Sequence, residues 1–207
     1  ITYLAHQDHV LDGSDDQMRR LASAGIARTN TQVAIVDDND RVRGPGERGQ
    51  IITRSDLVMK GYWRNPEATA ETLRGGWLHT GDMGYMDERG YLFIMDRSKD
   101  MIISGGENIY PSEVESVLRD HPAVADCAVF GVPDEKWGEA VKAIVVPRPG
   151  QAPDRDSIVA WARERLAGYK IPKSIEFADA LPRNPSGKLL RRKLREPYWE
   201  GYNRRVN

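Results

Sequence analysis

At 207 residues, with 29% charged side chains and a formal net charge of −1, the chain can form one large or two small domains and shows no bulk bias towards nucleic acid or an acidic partner. Its single cysteine, Cys127, excludes an internal disulfide and fits a reducing, cytoplasmic setting; it lies in an apolar run, where a small core hydrophobe is the plainer reading than a nucleophile. No apolar run approaches the roughly 18 residues of a membrane span, no signal peptide is visible, and a chain opening on Ile1 reads as a fragment of something longer.

Taken in order, residues 1–30 are the least informative: residues 15–24 can hold a short helix with Met18, Leu21 and Ala22 on one face, while residues 1–11 lack an evident partner. Strands are predicted at 31–36 and 50–53, each bounded by turn clusters, with a further strand expected at 57–63. Pro66 opens a helix, and residues 76–86 and 90–95 form a hairpin across Asp87-Glu88-Arg89-Gly90. After Asp96 the pattern changes to helices alternating with strands: a helix at 111–120, apolar strands at 124–132 and 140–146, an amphipathic helix at 156–166, a strand at 174–177, and a basic helix from Gly187 that Pro197 should stop. The expected fold class is therefore α+β, a β-rich subdomain of distorted barrel-like form followed by a small α+β sandwich. The predicted divisions are 1–95, a hinge at 96–100, and 101–207.

The hinge prediction rests on Asp96-Arg97-Ser98-Lys99-Asp100, whose alternating charge reads as an exposed joint. A short apolar run and Gly105-Gly106 follow, the glycines permitting positive φ and close approach of a ligand, and Ser112 with Glu115 has capping-box spacing. Three further polar signals carry possible chemistry. Asp82, directly after Gly81, can accept two hydroxyl donors of a ribose diol, or can be a turn aspartate. Arg97, fifteen positions on, can hydrogen-bond the same sugar or a phosphate through its planar fork, or can be a surface arginine paired with Asp96 or Asp100. Lys188 ends the loop Pro182-Arg183-Asn184-Pro185-Ser186-Gly187-Lys188, which would present an ammonium to an anion, or would merely open a solvated basic helix. The phosphate-loop pattern GxxxxGK[ST] is absent, the four histidines are scattered so that no structural metal is expected, and the basic tail with Arg204 and Arg205 reads as a solvated face rather than a nucleic-acid site.

In this order, Gly49-Gln50-Ile51 with Met59-Lys60-Gly61-Tyr62-Trp63, then Leu78-His79-Thr80-Gly81-Asp82, then residues 96–115, then residues 182–188, the sequence resembles the adenylate-forming superfamily. Within it the similarity is to AMP-forming acyl-CoA synthetases of the fatty-acyl and aryl-CoA ligase type, from about Gly25 to Leu194. The resemblance implies a two-step ligase that uses ATP with Mg²⁺ and then coenzyme A. It implies that Asp82 and Arg97 hold the nucleotide ribose, that Lys99 is the hinge about which the small domain swings, and that Lys188 stabilises charge between carboxylate and α-phosphate. Gly105 and Gly106 would line the pantetheine tunnel; Trp137, Tyr169 and Lys173 would meet the coenzyme A nucleotide. Ile171 stands where a basic partner is sometimes found, and Trp137 and Tyr169 can equally be loop aromatics packing on their own domain.

The resemblance also implies that the family's Ser/Thr/Gly-rich phosphate loop, its acyl pocket and its Mg²⁺-holding acid precede Ile1. The chain is accordingly expected to be a C-terminal fragment that does not adenylate by itself. Two rival readings are an adenylation domain serving a carrier protein and a catalytically dead relative acting as an interaction module. The partners expected are a carboxylic acid of unspecified class, ATP and coenzyme A, with homo-oligomerisation through exposed apolar surface as a further expectation.

Overall fold

The computed structural model describes residues 1–202, and the chain divides into two compact units that meet between Ser98 and Lys99. The first unit begins with strands β1 (Thr2–Tyr3) and β2 (Ile26–Ala27), paired antiparallel, with helix α1 (Asp15–Arg20) between them. A reciprocal capping box starts α1: the Ser14 hydroxyl accepts the Gln17 N–H and the Gln17 side chain accepts the Ser14 N–H. The partner of the opening segment escapes periodicity because the two strands are two residues each. Their close approach depends on Gly25, with φ of 80°; a Cβ there would come within 1.9 Å of the Tyr3 carbonyl oxygen.

Four longer strands, β3 (Thr31–Val36), β4 (Gly49–Ser55), β5 (Leu78–Met86) and β6 (Leu92–Arg97), follow as an antiparallel meander in chain order. Alternation puts Ile35 directly opposite Ile51, and both bury with Leu92 in the small core of this unit. The sheet is open, with β3 and β6 at its two edges, so the barrel-like closure expected for this unit is not formed. Helix α2 (Pro66–Thr72) connects β4 to β5; Pro66 is its first residue and the Asn65 side chain accepts the Ala68 N–H. Residues 57–63 are not a strand, because Gly61 and the left-handed Arg64 (φ 52°) fold them back onto α2, where the Tyr62 N–H donates to Thr69 Oγ1. Leu57 and Trp63 are left exposed.

The second unit is built on a five-stranded sheet. Its strands are β7 (Ile102–Ser104), β8 (Glu107–Ile109), β9 (Val124–Asp134), β10 (Gly138–Pro147) and β11 (Ser174–Phe177). Strand β9 lies antiparallel along one edge of β10, while β11, parallel, and the end of β7 share the other. Period-two burial feeds two cores. Cys127, Val129, Val141, Ala143 and Val145 face helices α3 (Pro111–Arg119) and α4 (Arg155–Arg163), and Ala128, Phe130 and Ile144 face helix α5 (Arg191–Trp199). Cys127 is 1% exposed and burial pushes its thiol up to about 12, as a core residue and not a nucleophile requires.

Several local expectations fail for identifiable reasons. The N-cap of α3 is Tyr110, with Pro111 as the first helical residue, so Ser112 and Glu115 lie inside the helix and form no capping box. Glu115 instead turns into the core. Asp96 is not part of an exposed joint: it is 9% exposed near the end of β6, and its Oδ1 accepts the Arg97 N–H. Pro197 does not stop α5, which starts only at Arg191 and carries the proline near its C-terminal end. Arg204 and Arg205 lie outside the described residues.

Candidate functional site

In the first unit, Asp82 and Arg97 are directly opposed across the β5–β6 pair. Arg97 Nε lies 3.4 Å from Asp82 Oδ1, so the arginine pairs with Asp82 and not only with its neighbours in sequence. Both side chains keep solvent access, 58% for Arg97 and 33% for Asp82. An exposed pair of this length contributes about 0–1 kcal/mol, so either group can be drawn to another ligand at little cost. The strand irregularity that presents them has a clear cause. Thr80 Oγ1 donates to the Ile51 carbonyl and accepts the Asp82 N–H, while Gly81 between them takes φ of 74°. Space around a Cβ built on Gly81 is open, so the turn presents a free face beside the carboxylate.

His79, three residues before Asp82, faces the other way. Its Nδ1 is 2.7 Å from Gln50 Oε1, and Arg74 grips Asp40 with two bonds of 3.0 Å nearby. Burial, followed by the Arg74 charge, pushes the imidazole down from its usual range, while Asp40 opposes this only partly. His79 is therefore a neutral support for the strand and not a proton carrier.

In the second unit, Lys99 lies in the 3₁₀ turn Ser98–Asp100, its carbonyl accepting from Arg195 at 3.2 Å, while the two glycines, Trp137 and Lys188 lie towards the two ends of the β9–β10 hairpin. At the hairpin turn, Asp134 Oδ1 accepts the N–H groups of Lys136 and Trp137, and the Trp137 carbonyl accepts the Gly105 N–H at 2.8 Å. Gly105 and Gly106, with φ of 61° and 87°, turn β7 into β8. A Cβ on Gly105 would meet the Trp137 ring at 2.7 Å, whereas a Cβ on Gly106 would meet nothing within 4 Å. Trp137 thus has one face on its own domain and is still 44% exposed.

Tyr169, 42% exposed, sits in a single 3₁₀ turn. That turn is fixed by the ion pair of Lys170 Nζ with Glu113 Oε1 in the first turn of α3. The exposed Lys173 is placed alongside β10 by its N–H donating to the Val141 carbonyl. Gly105, Gly106, Trp137 and Lys173 are therefore gathered towards one end of the sheet.

Lys188 is towards the other. Its loop is anchored by Arg183 to Asp126, roughly 25 Å of extended strand from Asp134. Within the loop, Asn184 Oδ1 accepts the Ser186 hydroxyl and the Lys188 N–H, and the Asn184 N–H donates to the Lys188 carbonyl. Lys188 itself is exposed. Just beyond it, Arg191 binds the buried Glu115 through Nε at 3.1 Å and a terminal nitrogen at 2.6 Å, and Glu115 also accepts the Val129 N–H. Burial raises the Glu115 carboxyl, against the lowering pull of Arg191. Asp126 and Arg191 are not singled out by the sequence, Arg183 and Asn184 appear there only as members of the loop 182–188, and Glu115 reads only as half of a capping box; nothing in the sequence pattern signals a brace. Among the described residues no group of three or more His, Cys, Asp or Glu side chains is placed to hold a metal ion, and no helix is long and apolar enough to cross a membrane.

Comparison with known proteins gives this geometry a context. The family model for AMP-binding enzymes matches residues 4–63, and that for the AMP-binding enzyme C-terminal domain matches residues 113–188. The chain is 52% identical to a feruloyl-CoA synthase of an Amycolatopsis species over 86% of its own length. It is 50% identical to the long-chain-fatty-acid–CoA ligase FadD13 of Mycobacterium tuberculosis over 89%. It spans 36% of the length of each of these relatives. ATP-bound MatB from Rhodopseudomonas palustris superimposes with a TM-score of 0.83 at 38% identity, over 88% of this chain and 37% of that one. Matches to both models in chain order, with relatives half identical across nearly all of its length, place the chain in the AMP-binding, adenylate-forming enzyme family.

Proposed function

We propose that this chain forms the C-terminal part of an ATP-dependent, AMP-forming acid–thiol ligase that joins a carboxylic acid to coenzyme A. The observation that carries the reading is the separation of Lys188 from the Gly105–Gly106 turn towards opposite ends of one long hairpin. A single small domain with two such ends can serve two successive steps if it turns about Lys99. The acid–thiol ligases among its relatives support the same chemistry.

In the first step a carboxylate oxygen attacks the α-phosphorus of ATP and the bond to the β-phosphate bridge breaks, releasing pyrophosphate. Asp82 would accept the two ribose hydroxyls and Arg97 would donate to the ribose or a phosphate, each exchanging its weak partner for the ligand. The Lys188 ammonium would offset charge growing between carboxylate and α-phosphate, an interaction worth about 3 kcal/mol by analogy with preplaced oxyanion donors. Mg²⁺ neutralises phosphate charge in such reactions, and its ligands would lie outside these residues.

In the second step the coenzyme A sulfur attacks the acyl carbon, the bond to the AMP oxygen breaks, and the thiol proton leaves to solvent. The open side of Gly106 would let the thiol arm pass, and Trp137, Tyr169 and Lys173 would contact its nucleotide. By themselves the 207 residues would not adenylate, and the setting would be cytoplasmic. The test is ATP–pyrophosphate exchange by the full-length enzyme carrying Lys188→Ala. A fall of about a hundredfold or more is expected; unchanged exchange would remove Lys188 from the reaction.

A further inference from the structure

We propose that Asp126 and Arg183 form a strut that positions Lys188, and that this pair acts on adenylation and not on thioester formation. The inference rests on the role of Lys188 in the proposed reaction. A lysine is a point charge on a flexible four-carbon stem, so a protein that must deliver it to one place has to fix the backbone beneath it. Gly187, just before Lys188, takes φ of 82° and has nothing within 4 Å of where a Cβ would be, so packing does not hold this peptide.

Hydrogen bonds hold it instead: Asn184 Oδ1 accepts the Lys188 N–H from within the loop, and Arg183 ties the peptide to the sheet. One terminal nitrogen donates to the Gly187 carbonyl at 2.7 Å, and the other donates to Asp126 Oδ2 at 2.5 Å. The Asp126 carboxylate is itself oriented, since its Oδ1 accepts the Cys127 N–H at 2.9 Å. The guanidinium therefore links the peptide carrying Lys188 to β9, and its planar fork makes the link directional in a way an ammonium cannot. Leu189 bridges back to Arg183, and the Leu190 N–H donates to the Pro182 carbonyl, so movement of the strut carries the whole loop.

Stability is the weaker explanation of this arrangement. The Arg183 and Asp126 side chains are 44% and 27% exposed, and neither belongs to a core cluster. An ion pair so placed contributes about 0–1 kcal/mol to folding. Asn184 fixes the internal shape of the loop; what the pair determines is where that loop, and Lys188 with it, sits relative to β9.

The test uses the full-length enzyme and measures the two half-reactions separately, ATP–pyrophosphate exchange and transfer from supplied acyl-adenylate to coenzyme A. Arg183→Gln and Asp126→Asn should each slow exchange about ten- to a hundredfold through kcat, with the KM for ATP and the transfer rate within about twofold of wild type. The double variant should be no slower than the worse single one, because both remove the same link. Arg183→Lys keeps charge without the fork and should recover only part of the loss. Slowing of both half-reactions by one factor, or exchange left unchanged, would overturn the strut. The ratio of the two rates is read on folded enzyme, so a variant with a lowered melting temperature remains informative. Lys188→Ala is the reference: if it slows exchange while Arg183→Gln does not, only the strut falls; if it does not slow exchange, the reading of Lys188 falls and the strut with it.

Discussion

The two ends of the β9–β10 hairpin are built by opposite means. At the turn, two glycines and a half-exposed indole leave backbone open, with one side of Gly106 unobstructed. Where β9 begins, the loop bearing Lys188 also has open space at Gly187, but it and the start of α5 are braced by two ion pairs, Arg183 with Asp126 and Arg191 with the buried Glu115. Open backbone suits the passage of a long flexible arm; braced backbone suits the repeated presentation of one charge. On the proposed reading the difference in construction follows the difference in task, thioester formation at one end and adenylation at the other.

Glu115→Ala should produce the largest effect on the fold. It would remove the buried carboxylate that Arg191 grips and leave the Val129 N–H without its acceptor, at a cost of roughly 3–5 kcal/mol, seen as a large drop in melting temperature. A drop no greater than that of an exposed substitution would mean that the braced end is not anchored through α3. Trp137→Ala should act at the other end alone, raising the KM for coenzyme A by an amount matching the roughly 1–3 kcal/mol of a base stacked on an aromatic ring, with pyrophosphate exchange unchanged. Gly105→Ala should cost about 1–2 kcal/mol of stability through its left-handed backbone, and should also raise that KM by displacing the Trp137 ring. An unchanged KM would separate Gly105 from the coenzyme A end.

The smallest effect concerns His79, far from either end in sequence. Its folded pKa is depressed, so as pH falls below about 6.5 the unfolded chain takes up a proton that the folded chain refuses. Stability should be greatest above that pH and decline down to the folded pKa. Thermal melts from pH 7.5 to 5 should show a shallower decline for His79→Gln, while identical slopes would contradict the neutral assignment.

Much of this was legible in sequence where neighbours in the chain are neighbours in space. Alternation located β3, the preceding turn cluster located β4, and continuous apolar runs located β9 and β10; Pro66 located α2; and Asp87 with Gly90 located the β5–β6 hairpin that brings Asp82 opposite Arg97. Three-residue β8 was too short to register, and Ser112 with Glu115 imitated a cap because spacing does not reveal which residue opens the helix. The braces could not be read at all: Arg183 and Asp126 are 57 positions apart and Arg191 and Glu115 are 76 apart, so only the folded sheet brings them together. Charge patterning likewise marked Asp96 as solvated, whereas the end of β6 buries it.

The most direct measurement of the division of labour compares Lys188→Ala with Gly106→Leu in the full-length enzyme, each in both half-reactions. Gly106 has free space around it, so a larger side chain there should obstruct a passing thiol arm without meeting a neighbour, at a cost of about 1–2 kcal/mol for its left-handed backbone at φ 87°. Lys188→Ala should abolish most exchange and spare transfer from acyl-adenylate; Gly106→Leu should do the reverse. Loss of the same half-reaction in both variants would contradict the assignment of the two ends to two steps.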